Sequence, residues 1–306
     1  MKSLMIIIPS LLLPCACISQ KTEQFKPYTQ RERALVQSVA FSPDGQRMYC
    51  TLFHRLMRRK LGDTSKTHPQ VAIYEAARTA TGWSDPVVVP FSGVYEDYEP
   101  TVSPDGKYIF YNSKRPLSAG GEPFSRNNIW YVEKQGEGWS EPKYFHAANT
   151  VKYGEDYPAI TQGNKVYFMK ETPSAVNDTI STWKIYVVQF PGSGATPMPA
   201  FTGNTTPAQL EQGDPWVAPD ESYLIFTQFD NLRGWDKSCD LFICFRKNNK
   251  WSLPVLLEEL NTANAPDYAV AISPDEQWIY YRANHHLMKR PFKPVLRKYK
   301  KRAVFS

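Results

Sequence analysis

Ser42-Pro43-Asp44-Gly45 returns along the chain as Ser103-Pro104-Asp105-Gly106, Ala218-Pro219-Asp220-Glu221 and Ser273-Pro274-Asp275-Glu276, and Thr161-Gln162-Gly163-Asn164 falls in the remaining gap. Successive starts lie 55 to 61 residues apart, and self-similarity at such a period marks a repeat architecture. In the four copies that carry it, proline presets φ for the first central position of a turn. Aspartate follows, and glycine or a polar residue releases the chain into the next strand. An aromatic-rich stretch comes next every time, at 47–52, 108–112, 166–169, 223–227 and 278–281.

A second element keeps the same phase. Gly82-Trp83-Ser84-Asp85-Pro86, Gly138-Trp139-Ser140-Glu141-Pro142 and Lys250-Trp251-Ser252-Leu253-Pro254 share a Trp-Ser-x-Pro core, their tryptophans 56 and then 112 residues apart. Between turn and tryptophan runs another strand, such as Asn128-Ile129-Trp130-Tyr131-Val132 or Asp240-Leu241-Phe242-Ile243. Each unit therefore holds four strands, which is one propeller blade. The predicted fold is all-β: one β-propeller over residues 21–298, of five four-stranded blades, with six as the alternative if the terminal segments form another. The last unit, from Tyr268, lacks a Trp-Ser-x-Pro element. Phe25-Lys26-Pro27-Tyr28 sits at nearly the corresponding distance before Ser42. This N-terminal segment is expected to supply the missing outer strand, closing the ring and covering an edge; residues 293–299 are the alternative.

Composition agrees, since 14% aromatics and 25 prolines suit short strands joined by turns and not a helical bundle. The net charge of +6 is local: Lys293, Arg297, Lys298, Lys300, Lys301 and Arg302 carry six positive charges with no acid among them, and the remainder is neutral. A basic tail over 299–306 is expected to be solvated, and no nucleic-acid partner is predicted. Residues 1–20 read as an export leader, with Lys2 ahead of an apolar run over 4–13 that is too short to span a bilayer. Cys15-Ala16-Cys17 follows, and Cys17 is the expected lipid acceptor, with simple signal cleavage as the alternative. The predicted location is the periplasm or outer membrane, with membrane contact only through that anchor. Of the later cysteines, Cys50, Cys239 and Cys244, the last two fall on opposite faces of a strand and should not pair. With no Cys-x-x-Cys or His-x-x-x-His spacing, no metal and no cofactor is predicted, and the protein is expected to be a monomer.

Phe41-Ser42-Pro43-Asp44-Gly45 and Val102-Ser103-Pro104-Asp105-Gly106-Lys107 resemble the WD-like Pro-Asp repeats of TolB-type propellers. The Trp-Ser-x-Pro elements are similar to the longer-period version found in exported Bacteroidetes proteins. The resemblance covers nearly everything after residue 25 and departs at residues 161–164. It implies the propeller, but no single activity, because the repeat occurs in binding modules, transport accessories and enzyme domains alike.

In blade topology the Ser-Pro-Asp turns and the Trp-Ser-x-Pro elements share one face. The opposite face receives long loops at 54–69, 113–127, 171–182 and 230–238, and long loops over a rigid ring are where binding usually resides. Asp97-Tyr98-Glu99, Glu155-Asp156-Tyr157, Asp214-Pro215-Trp216 and Asp267-Tyr268 each precede an inner strand and should ring the channel mouth on that face. Ahead of the first blade stands Val36-Gln37-Ser38, without an acid. Arg115 and Arg233, with Arg55, Arg58, Arg59, Lys114 and Arg126, supply opposite charge. As a ligand site, this ring would stack aromatic rings on sugar faces and direct hydrogen bonds from charged groups. As a scaffold, the acids would cap turns and pair with arginines, while the aromatics fill gaps between blades.

The sequence reading is therefore an exported, non-catalytic binding or scaffold propeller that presents its loop-rich face to a protein or glycan. The alternative is a carbohydrate-active hydrolase or lyase using carboxylates among Asp97, Glu99, Glu155, Asp156, Asp214 and Asp267. Serine-histidine chemistry is disfavoured, since His54, His68, His146, His285 and His286 accompany no Gly-x-Ser-x-Gly elbow.

Overall fold

A computed structural model describes residues 22–24, 36–53, 71–150, 152–173, 181–192, 194, 196–197, 210–230 and 233–305. The leader with Cys17, residues 25–28 and the loop bearing Arg55, Arg58 and Arg59 lie outside the described residues. Five separate antiparallel sheets form five blades. The first runs from the channel outward as Val36–Phe41, Arg47–Phe53, Val71–Thr79 and Gly82–Trp83; the second as Asp97–Val102, Tyr108–Ser113, Asn128–Gln135 and Gly138–Trp139. The third is Glu155–Ile160, Lys165–Pro173, Ser181–Gln189 and Thr196–Pro197, and the fourth Leu210–Val217, Tyr223–Asp230, Asp240–Lys247 and Lys250–Trp251. The fifth is Asp267–Ile272, Trp278–Ala283 and His286–Pro291, with Glu23–Gln24 as its outer strand.

Ring closure by an N-terminal strand is thus present, slightly earlier in the chain than expected: Glu23 pairs with Lys289 and Gln24 with Met288. The alternative closing strand at 293–299 is instead a helix, Phe292–Lys300. Phe292, Val295 and Tyr299 recur at helical spacing, are fully enclosed, and pack with Tyr223, Ile243, Leu257 and Tyr281 of the last two blades. A strand would alternate these side chains between faces. The basic tail expected from residue 299 consequently begins inside a packed helix.

The repeat motifs earn their residues locally. Ser103 Oγ donates to Asp105 Oδ1 (2.6 Å) and accepts from the Tyr108 N–H (2.9 Å); Ser42 and Ser273 do the same. Thr161 accepts from the Lys165 N–H through its hydroxyl, so the degenerate copy keeps part of the mechanism. The last turn position is left-handed in all five: Gly45, Gly106, Asn164, Glu221 and Glu276 have φ between 54° and 72°. Ser84, Ser140 and Ser252 each accept a backbone N–H from the third strand, from Ala77, Glu133 and Phe245, at 3.0 Å. The neighbouring tryptophans seal joints between blades, Trp139 against Tyr49 and Trp251 against Tyr167. Cys239 and Cys244 are buried in different clusters.

Candidate functional site

Every inner strand is bulged. Pairing slips between Val36 and Val39, Tyr98 and Thr101, Asp156 and Ala159, Gly213 and Trp216, and Tyr268 and Ala271. Counting back from the Ser-Pro-Asp turns makes Ser38, Glu99, Tyr157, Asp214 and Ala269 equivalent. The last four sit at φ 49°, 53°, 45° and 53°, a region that costs a side-chain-bearing residue energy and that clusters at functional sites. A bulge re-aims its side chain. All five residues line one cavity of about 430 Å³ that runs along the channel to Pro43, Pro104, Pro219 and Pro274 of the short turns. Its walls mix apolar side chains, such as Val39, Ile160, Val217, Ile272 and Trp216, with polar ones such as Thr101, Gln162 and Ser273.

The acids named from the sequence divide into two sets. Asp97, Glu155 and Asp267 have no exposed surface. Each reaches back five residues to fix the loop between blades. Ser92 Oγ donates to Asp97 (2.7 Å), the Thr150 N–H and hydroxyl donate to Glu155 (3.1 and 2.8 Å), and the Thr262 N–H donates to Asp267. Asp97 also pairs with Arg115 at 3.0 Å and Glu155 with Lys170 at 2.8 Å. The Arg115 guanidinium is itself buried, over Tyr95, Tyr111 and Trp130. Burial raises the carboxyl pKa in all three, Asp267 to about 7, against those hydrogen bonds and cations.

Glu99, Asp156 and Asp214 form the second set. Glu99 and Asp214 line the channel cavity, Asp156 lies beside it, and none of the three makes an ion pair among the described residues. Burial pushes Glu99 up to about 7; the Asp156 charge adds to it, while the Ser38 and Tyr157 hydroxyls and Arg282 oppose it. Asp214 is pushed well above the usual carboxylate range, first by burial and then by Glu99, with the Ala269 N–H opposing. Asp156 is raised by burial to about 6 although Asn127 Nδ2 donates to it at 2.8 Å. Burial thus favours the protonated form of each carboxyl, and a protonated carboxyl donates as well as accepts hydrogen bonds. No group of three histidine, cysteine or acidic side chains suited to a metal occurs among the described residues.

Of the remaining residues singled out, Tyr98 donates its hydroxyl to Glu96. Tyr268 is buried against Trp235 and accepts from Gln37 Nε2 at 3.5 Å. Trp216 stacks on Tyr223 in the cavity wall, and Arg233 is exposed beside the Lys237 carbonyl. The concave surface lies between the acids and the short-turn face, whereas the sequence placed the site on the loop-rich side of the acids. Ser38, Asn127 and Arg282 were missed. Ser38 was within reach, because its distance from the Ser-Pro-Asp turn equates it with Glu99.

No protein-family model matches the chain, and no curated protein does. Solved structures are similar to it in fold. A TolB of Agrobacterium tumefaciens is 14% identical over 82% of this chain and 70% of its own, with a TM-score of 0.48. TolB of Acinetobacter baumannii is 13% identical over 86% of this chain and 55% of its own, with a TM-score of 0.45. A Hadza microbial sialidase is 10% identical over 84% of this chain and 65% of its own, with a TM-score of 0.47. At such identities the likeness concerns fold and carries nothing about activity.

Proposed function

We propose that this chain is an exported, non-catalytic binding propeller, and that its ligand, a protein segment or a glycan, enters the channel cavity and meets Glu99, Tyr157 and Asp214. The observation that carries this reading is the difference among equivalent positions. A structural role repeats, as the buried acids Asp97, Glu155 and Asp267 do; recognition requires unlike groups in a fixed arrangement. At the channel end the five blades present serine, glutamate, tyrosine, aspartate and alanine. Four of these are left-handed, and all line a cavity of ligand size. Export, with or without a lipid on Cys17, belongs to the same proposal and rests on the leader.

A second reading has its own support. A carboxyl near pKa 7 beside another acid is the arrangement a glycosidase uses, one group protonating the leaving oxygen and the other acting as nucleophile or base. One experiment separates the two: binding and turnover on a panel of glycans and extended peptides, for the parent protein and for Glu99→Gln with Asp214→Asn. The binding reading expects at least tenfold weaker binding in the double variant and turnover in neither protein. Turnover by the parent that the folded variant lacks would establish the hydrolase. Unchanged binding in the variant would remove the cavity as the site.

A further inference from the structure

On the outer flank of blades four and five, the helix Phe292–Lys300 turns Lys293, Arg297, Lys298 and Lys300 to solvent, followed by exposed Lys301 and Arg302. Two of these have carboxylate partners, Lys298 with Glu259 at 3.6 Å and Arg302 with Glu258 at 3.0 Å. Lys293 lies near Asp275. Arg297, Lys300 and Lys301 make no ion pair among the described residues. Together with Lys298 and Pro294 they line a shallow depression of about 550 Å³ that contains no acid.

Local stability does not explain this set. The helix macrodipole favours cations in the last turn, which accounts for some of them. However, Lys293 with Arg297 and Arg297 with Lys301 are like charges four residues apart, which repel on a helix surface. The same segment leaves Val304 58% and Phe305 40% exposed, although the backbone there is tied down by the Leu253 N–H to the Val304 carbonyl at 2.8 Å. A fixed basic face next to exposed apolar side chains is the composition of a membrane-surface segment.

The first described strand lies at the same place. Glu23 and Gln24 run antiparallel to His286–Pro291, so Thr22 lies on the side of Pro291 and the start of the helix. Thr22 lies against Tyr281 of that blade. From Thr22 back to Cys17 is five residues, a reach of under about 20 Å. Single-chain acylation gives only marginal attachment, and a polybasic patch is the usual second contribution. We propose that the exposed basic face of the C-terminal helix is a membrane-contact surface for the phosphate headgroups of an anionic bilayer, placed beside the N-terminal anchor.

The test uses the full chain carrying Cys17→Ser, so that no acyl group contributes, and vesicles of phosphatidylcholine with or without about 30% phosphatidylglycerol as the anionic lipid. The leader, with its apolar run and Lys2, is common to the parent and its variants, so the readout is the anionic-vesicle excess that the helix substitutions remove. Partitioning should be more than about tenfold stronger on the anionic vesicles and should lose that excess at high salt. Arg297→Gln, Lys300→Gln and Lys301→Gln together should abolish it, a loss of up to about a hundredfold. Arg297→Lys, Lys300→Arg and Lys301→Arg together should keep it, which separates charge from folding. Equal partitioning on both vesicles, an unchanged excess in the glutamine variant, or tight binding of soluble polyphosphate without vesicle binding would each overturn the proposal.

Discussion

Asp97 and Arg115 show what a single residue can be asked to do here. The carboxylate has no exposed surface, and the guanidinium is enclosed by Tyr95, Tyr111 and Trp130 while also donating to the Phe91 carbonyl at 2.8 Å. Removing one partner strands the other, so Arg115→Met should lower unfolding free energy by about 3–5 kcal/mol in denaturant titrations. Glu99 makes a different prediction. Its folded pKa of about 7 lies above the ordinary value of 4.5, so the native state binds the extra proton. The stability this contributes is fully present below pH 4.5 and is lost as pH rises through about 7. Thermal unfolding followed between these pH values should fall for the parent and fall less steeply in Glu99→Gln, a difference on the order of 1–3 kcal/mol.

Among the elements, the Ser-Pro-Asp turn is the unit whose chemistry can be checked piece by piece. Ser103→Ala removes a hydroxyl that both donates to Asp105 and accepts from Tyr108, and should cost about 1 kcal/mol, as the loss of a comparable cap does. The left-handed final position favours glycine, and the departure from it in the later copies is explained by what the glutamates touch. Glu221 at φ 59° reaches into the preceding blade, where Lys165 (2.9 Å) and the Tyr167 hydroxyl (2.5 Å) bond to it, and Arg246 joins at 2.7 Å. Glu276 likewise accepts from Tyr223 at 3.1 Å. Glu221→Gly would relieve the backbone and lose the link between blades. We expect a net destabilisation of about 1 kcal/mol by chemical denaturation, because hydrogen bonds to a charged group outweigh the glycine preference.

For the whole molecule, closure among the described residues rests on Glu23 and Gln24 pairing with one strand. Deletion through Gln24 leaves His286–Pro291 as an exposed edge, and exposed edges invite pairing with another chain. The deletion variant should show faster amide exchange across His286–Pro291 and concentration-dependent association in sedimentation; an unchanged exchange pattern would show that the helix Phe292–Lys300 alone holds the last blade.

Repeat period, turn chemistry and the in-phase tryptophans were legible without coordinates, because each blade is built from local rules: proline and aspartate set the turn, serine fixes the next strand, and alternation decides what is buried. Five blades and an N-terminal closing strand follow from counting those units. The amino-acid sequence also placed six acids ahead of the inner strands. It did not separate Asp97, Glu155 and Asp267, which hold loops, from Glu99 and Asp214, which line the channel cavity. That division arises from the bulge in each inner strand, which turns one side chain inward and leaves its neighbour enclosed. Likewise, the basic end of the chain reads as a solvated tail until Phe292, Val295 and Tyr299 find their places against blades four and five. Desolvation and the meeting of distant carboxylates depend on three-dimensional proximity, and only the tertiary structure determines that.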